Sequence, residues 1–203
     1  MSYICLILSG AALLINGLTL LGRIPARDSG YFNVLIGGTQ LVLCVAVAVS
    51  ADGSLASLFS ISGTFLFGLT YLYVGIDSLR GLGAVGLGWF CGLVAGIALV
   101  FSAVNVVADP FLAVLWLGWA GLWTLFFVVL ALGRSSITAF TAWALVLSSQ
   151  VTTTIPALLG LTGNWPSGPW SAPIALVVLA LVFVGAAFLS RRREALTSTV
   201  VTA

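Results

Sequence analysis

Seven long apolar stretches, each nearly free of charge, set the terms on which this chain can fold. They run over residues 3–21, 31–50, 55–76, 84–107, 111–132, 138–162 and 173–190. Apolar runs of about 17–25 residues are long enough, as helices, to cross a hydrocarbon layer of about 30 Å. Only 6% of the residues are charged, against about 25% in an ordinary soluble domain. Such a chain cannot furnish a water-exposed surface, so lipid is its solvent. Nucleic-acid binding is excluded on the same ground, because seven scattered Arg make no phosphate footprint.

The connectors carry nearly all the charge. Arg23, Arg27 and Asp28 fall after the first run, Asp52 after the second, and Asp77 with Arg80 after the third. Asp109 follows the fourth, Arg134 the fifth, and Arg191, Arg192, Arg193 and Glu194 the seventh. The sixth connector, Gly163 to Trp170, has none. An alternating seven-span arrangement puts every Arg on one side, and only Asp52 and Asp109 on the other. Cytoplasmic loops collect Arg and Lys, so the N-terminus is expected outside and the C-terminus in the cytoplasm. The first run lacks a basic segment before it, which reads as an uncleaved helix rather than a signal peptide. Cys5, Cys44 and Cys91 all lie within runs and read as small packing residues, without a disulfide or metal-site spacing.

A weak internal repeat is visible. Arg23, Arg80 and Arg134 each lie beside a glycine, and nine residues later stand Phe32, Trp89 and Trp143. This fits three two-helix hairpins, a common way to build a membrane pathway. Any Arg-capped hairpin with an aromatic interface anchor would look similar. The seventh run stands outside the pattern.

No titratable carboxylate, Lys, Arg or His falls in mid-span. Coupled transporters commonly place such a group within the bilayer, and no nucleophile–base arrangement is evident either. The expected class is a passive route for a neutral solute, not an enzyme, with no cofactor or metal. Two features could line that route. Leu112, Trp116, Trp119 and Trp123 form one helical stripe, and Trp123 lies near mid-span, where an indole N–H in lipid would lack a partner. Phe67 and Tyr71 share a face of the third span. The sixth span has a polar centre, Ser148, Ser149, Gln150 and Thr152–Thr154, followed by Pro156. Helix distortion accounts for part of it; Gln150 either joins helices or faces water. Gly88, Gly92 and Gly96, four apart, favour close helix approach within the protomer or between subunits.

Phe65–Tyr73 together with Trp116–Trp123 resembles the AmiS/UreI family of urea and short-chain amide channels. Matching stretches are Leu13–Gly17, Phe32–Gly38, and Trp143 through Pro156, so the resemblance covers residues 4 to about 162. It implies an all-α membrane protein whose first six helices form three hairpins around a protomer pore, assembled as a homo-hexamer with lipid at the centre. It implies a pathway narrowed by Leu13, Phe67, Tyr71, Trp116, Trp119, Leu122 and Trp123, with Ser148 where the acid-gated members have a glutamate. Asn16, Gln150 and Thr152 are candidate polar lining. The expected organisation is a channel unit at 1–162, an extracytoplasmic loop at 163–172, a seventh helix at 173–190 and a cytoplasmic tail at 191–203, in the bacterial inner membrane.

The expected function is passive passage of urea or short-chain amides through an aromatic slot. Gating between about pH 5 and 7 is not expected, because without His no side chain has an ordinary pKa there. One rival is an ion-coupled amide transporter using Gln150 and the Ser/Thr cluster. The other is a structural subunit in which the aromatic stripe merely packs.

Overall fold

The computed structural model describes the backbone of residues 2–51 and 53–201 and the side chains of residues 3–51 and 53–192. Asp52 and the side chains of Arg193 and Glu194 lie outside the described residues. The described backbone is helical apart from short connectors: α1 Ser2–Leu20, α2 Ala26–Ser50, α3 Leu55–Arg80, α4 Val85–Ala108, α5 Pro110–Phe126, α6 Thr138–Ser148, α7 Ile155–Leu161 and α8 Ser171–Val201. A π-helical turn, Phe127–Ala131, extends α5, and a second, Ser149–Thr154, joins α6 to α7. Among the described residues this gives seven helical spans long and apolar enough to cross a membrane.

The helices overrun the apolar stretches. Arg27 and Asp28 lie in the first turn of α2 rather than in a loop, and Asp77 and Arg80 lie in the last turns of α3. An acid near a helix N-terminus and a base near a C-terminus both complement the macrodipole, so charge need not end a helix where the hydrocarbon ends. Likewise α8 continues past Ser190 and carries Arg191 and Arg192; Arg192 lies 4.4 Å over the Phe188 ring.

The first six spans close into a ring. α2 packs most extensively on α3, α4 on α5, and the α6–α7 span on α1. The tight pairs are therefore formed between successive hairpins rather than within them. Glycine makes these approaches possible: a Cβ on Gly37 would lie 2.5 Å from the Leu72 amide nitrogen, and one on Gly88 2.5 Å from that of Ala131. Gly92 also faces the α5 span, at Phe127, whereas Gly96 faces open space. Two of the four-spaced glycines thus serve packing inside the protomer.

α8 lies outside the ring against α5 and α6. Leu179 sits over Gly118, Phe183 over Gly121, and the Phe140 and Phe183 rings are 6.3 Å apart. Because α5 and α6 touch each other little directly, α8 covers their seam. The outer surface is apolar, with Leu35, Val42, Val49, Leu93, Val107 and Leu181 exposed. Such a patch would be a liability in water and is the expected face toward lipid.

Candidate solute pathway

The tryptophan stripe turns inward. Trp116, Trp119 and Trp123 are only 6%, 4% and 5% exposed, which answers the question their mid-span position raised. The Trp119 Nε1–H donates to Thr152 Oγ1 at 3.1 Å, and the Trp123 Nε1–H donates to Thr70 Oγ1 at 3.3 Å. Both hydroxyls are themselves fixed by donation one turn back, Thr152 to the Ser148 carbonyl and Thr70 to that of Leu66, at 2.8 and 2.7 Å. Each back-bond leaves an oxygen lone pair for the indole, so neither N–H is stranded in a dry interior.

Phe67 is the hub of the aromatic cluster. Its ring lies 5.9, 5.1 and 4.7 Å from those of Trp116, Trp119 and Trp123, with Trp119 edge-on. Tyr71, one turn on, is 6.3 Å from Phe67 and donates its hydroxyl to the Ser9 carbonyl at 3.4 Å. On the other flank Phe59, Phe101 and Trp116 form a stack with centroid spacings of 4.2 and 4.4 Å.

Two chambers meet at Phe67 and Trp119, which wall both. The larger, about 450 Å³, widens toward Tyr3, Asp109 and Trp165. The smaller, about 20 Å³, is lined by Leu13, Asn16, Thr70, Tyr71, Leu122 and Trp123 together with the two shared residues. That is room for about one water molecule. The cavity is therefore narrow on the side where the rings converge.

Beyond the narrow chamber lies a polar clamp. Asn16 and Asn33 exchange amide hydrogen bonds at 3.0 and 2.6 Å; Ser29 Oγ donates to Asn16 Oδ1 at 3.2 Å, and Asn33 Nδ2 also reaches the Ser29 carbonyl. One N–H of Asn16 is thus committed to Asn33, and Asn16 also lines the narrow chamber. Gln40, fully buried, donates to the Cys5 carbonyl and Ser9 Oγ at 2.6 and 2.8 Å, fixing α2 to α1 behind the larger chamber.

Of the residues singled out in the sequence, Leu13, Asn16, Phe67, Tyr71, Trp116, Trp119, Leu122 and Trp123 line one or both chambers. Thr152 stands behind the Trp119 indole rather than in the chambers. Ser148 is 1% exposed, and its hydroxyl has no partner among the described residues. Gln150 is exposed and lines neither chamber, and its amide donates to Ser149 Oγ at 3.2 Å. The π segment accounts for the neighbouring hydroxyls: Thr152 donates to the carbonyl of Ser148, Thr153 and Thr154 donate to that of Ser149, and the Ile155 N–H reaches back five residues to Gln150. Thr70, Ser9, Phe101, Asp109 and Trp165 were not anticipated. Their partners lie on other helices, and sequence spacing records only neighbours on the same helix.

Seven spans around two chambers walled by aromatic rings make an architecture that suits a channel or transporter of small solutes. Residues 1–164 match the AmiS/UreI family transporter profile, and the chain belongs to that family. It is 44% identical to the transporter protein AmiS2 of Rhodococcus erythropolis over 92% of this chain and 94% of that one. To an amidate substrates transporter protein of Mycolicibacterium smegmatis it is 39% identical, over 83% and 80% of the two chains. Its fold is similar to that of the Helicobacter pylori urea channel solved in the closed state, with a TM-score of 0.75 at 25% identity, covering 82% of this chain and 100% of that one. The family and its structural neighbours are channels and transporters, not enzymes. Their membership and the seven spans make this a multi-pass protein of the bacterial inner membrane.

Proposed function

We propose that this protein is a passive channel for urea and short-chain aliphatic amides. The observation that carries the reading is the septum of Phe67 and Trp119 between two chambers whose narrow side holds no ionisable group except the Tyr71 phenol. Ring faces form a slot for a flat molecule, and amide N–H groups can point at their π clouds. Each such contact is weak, which suits conduction, since a solute must both enter and leave. Thr70, Asn16 and the Ser9 region offer hydrogen bonds on either side of the dry stretch. An ion finds no charge there to offset lost hydration.

In this reading residues 1–162 are the conducting unit, 163–172 the extracytoplasmic loop, 173–190 the added span and 191–203 the cytoplasmic tail. Six copies form a ring, as the family resemblance implies, with the N-terminus outside. The larger chamber then opens outward, since its mouth lies at the end opposite Arg23, Arg80 and Arg134. Against the ion-coupled alternative stand two observations: Gln150 is exposed and lines neither chamber, and the Thr152, Thr153 and Thr154 hydroxyls donate to carbonyls of their own helix.

Stopped-flow light scattering on proteoliposomes tests the proposal. Trp119→Ala and Trp123→Ala should each change the ratio of urea to water permeability. Unchanged ratios in both variants would remove these residues from the constriction, and accumulation of amide against its gradient would overturn the passive reading.

A further inference from the structure

The mouth of the larger chamber is occupied by a residue from outside the six-helix ring. Trp165 lies in the connector between α7 and α8, one position past the end of the family match at residue 164. It lines the chamber and is held there on three sides. Its Nε1–H donates to Asp109 Oδ2 at 2.9 Å. The Phe111 ring meets it edge-on at 5.2 Å, and the Tyr3 ring lies at 5.5 Å. Asp109 is fixed in turn, because its Oδ1 caps α5 by accepting from the Leu112 N–H at 2.9 Å. One carboxylate thus starts the helix that carries the tryptophan stripe and also orients the indole at the chamber's entrance.

We propose that Trp165 is a size-selecting aperture at the mouth of the pathway and that Asp109 is its positioning residue. The inference rests on the channel reading above and adds what sets the upper size of the amide. A packing role alone would place the indole in a sealed contact; here it is half-buried and borders about 450 Å³ of open space. The solutes concerned are short aliphatic amides differing by single methylenes. An aperture at the mouth discriminates among these by width, while the Phe67–Trp119 septum selects planarity. The connector leading to α8 therefore does more than return the chain across the membrane.

The full chain in proteoliposomes is assayed with urea, acetamide, propionamide and butyramide. Trp165→Ala should raise the butyramide-to-urea permeability ratio at least about fivefold, equivalent to about 1 kcal/mol in barrier. Trp165→Phe, which keeps the bulk, should retain most of the exclusion. Asp109→Asn, which keeps one of two acceptor oxygens, should fall between. An unchanged ratio in Trp165→Ala overturns the aperture. A readout that does not depend on flux separates this from failure of the channel reading. Ser9→Cys, placed at the chamber wall in a chain with Cys5, Cys44 and Cys91 replaced by Ala, is labelled with a small and a bulky methanethiosulfonate. Trp165→Ala should accelerate only the bulky reagent. Equal rates with and without the indole overturn the proposal even if the wild type passes neither urea nor amide.

Discussion

Two of the indoles that wall the chambers each depend on one threonine. Thr152 and Thr70 both bond back to their own helices and present an oxygen to Trp119 and Trp123. Thr152→Val keeps the shape and removes the acceptor, leaving a buried N–H unpaired. Hydrogen bonds between membrane helices average about 0.6 kcal/mol and reach about 1.7, so a loss of about 1 kcal/mol is expected. In detergent that should appear as a Tm lower by about 2–4 °C. Thr152→Ser, which retains the hydroxyl, should recover most of it, and equal Tm values for wild type and Thr152→Val would show that the bond contributes nothing. The stripe of Trp116, Trp119 and Trp123 was legible because helical spacing alone puts those residues on one face. Thr70 was not, because it acts across 53 positions of sequence. Gln150 shows the converse: a polar residue at mid-span draws attention in the sequence, but it sits within the Ser149–Thr154 π turn, exposed and lining neither chamber.

Glycine spacing governs how the helices approach, and two adjacent glycines of α2 separate packing from propensity. A Cβ on Gly37 would press on the Leu72 amide at 2.5 Å and the Gly68 carbonyl at 2.7 Å, whereas one on Gly38 would meet nothing within 4 Å. Gly37→Ala should therefore destabilise the protein by about 1–3 kcal/mol, the usual cost of overpacking. Gly38→Ala should be neutral or stabilising by up to about 1 kcal/mol through helix propensity. Thermal denaturation in detergent reads both, and the same sign for the pair would show that α2 and α3 are not in the contact described. The spans themselves were plain from hydropathy, since nothing else can be done with seven such runs. Their ends were not, because Asp28 and Arg80 satisfy helix termini as readily as loops. The π turns were also hidden: at Ser149–Thr154 they depend on several hydroxyls competing for the same carbonyls near Pro156, and no periodicity announces that.

At the scale of the whole molecule, the passive reading rests on which groups wall the chambers. A coupled cycle needs a group that binds the driving ion or changes charge within the membrane. The chain contains no histidine, and among the residues walling the narrow chamber only the Tyr71 hydroxyl can ionise. The carboxylate closest to the pathway, Asp109, stands at the mouth, where it can orient Trp165 but cannot carry a proton across the septum. Two consequences belong together. Amide flux in proteoliposomes should stay level, within about twofold, between about pH 5 and 7, because no side chain has an ordinary pKa in that interval. The flux should also be proportional to the amide gradient and indifferent to an imposed proton or sodium gradient. The pair is more demanding than either half. A channel gated by pH would fail the first yet still carry amide only down its own gradient, whereas a proton-coupled carrier would accumulate amide when a proton gradient is imposed, whatever its pH profile. Downhill flux that is level in pH and blind to both ion gradients is the behaviour of a fixed aromatic slot, and a rate that follows either ion would require a coupling group that these chamber walls do not supply.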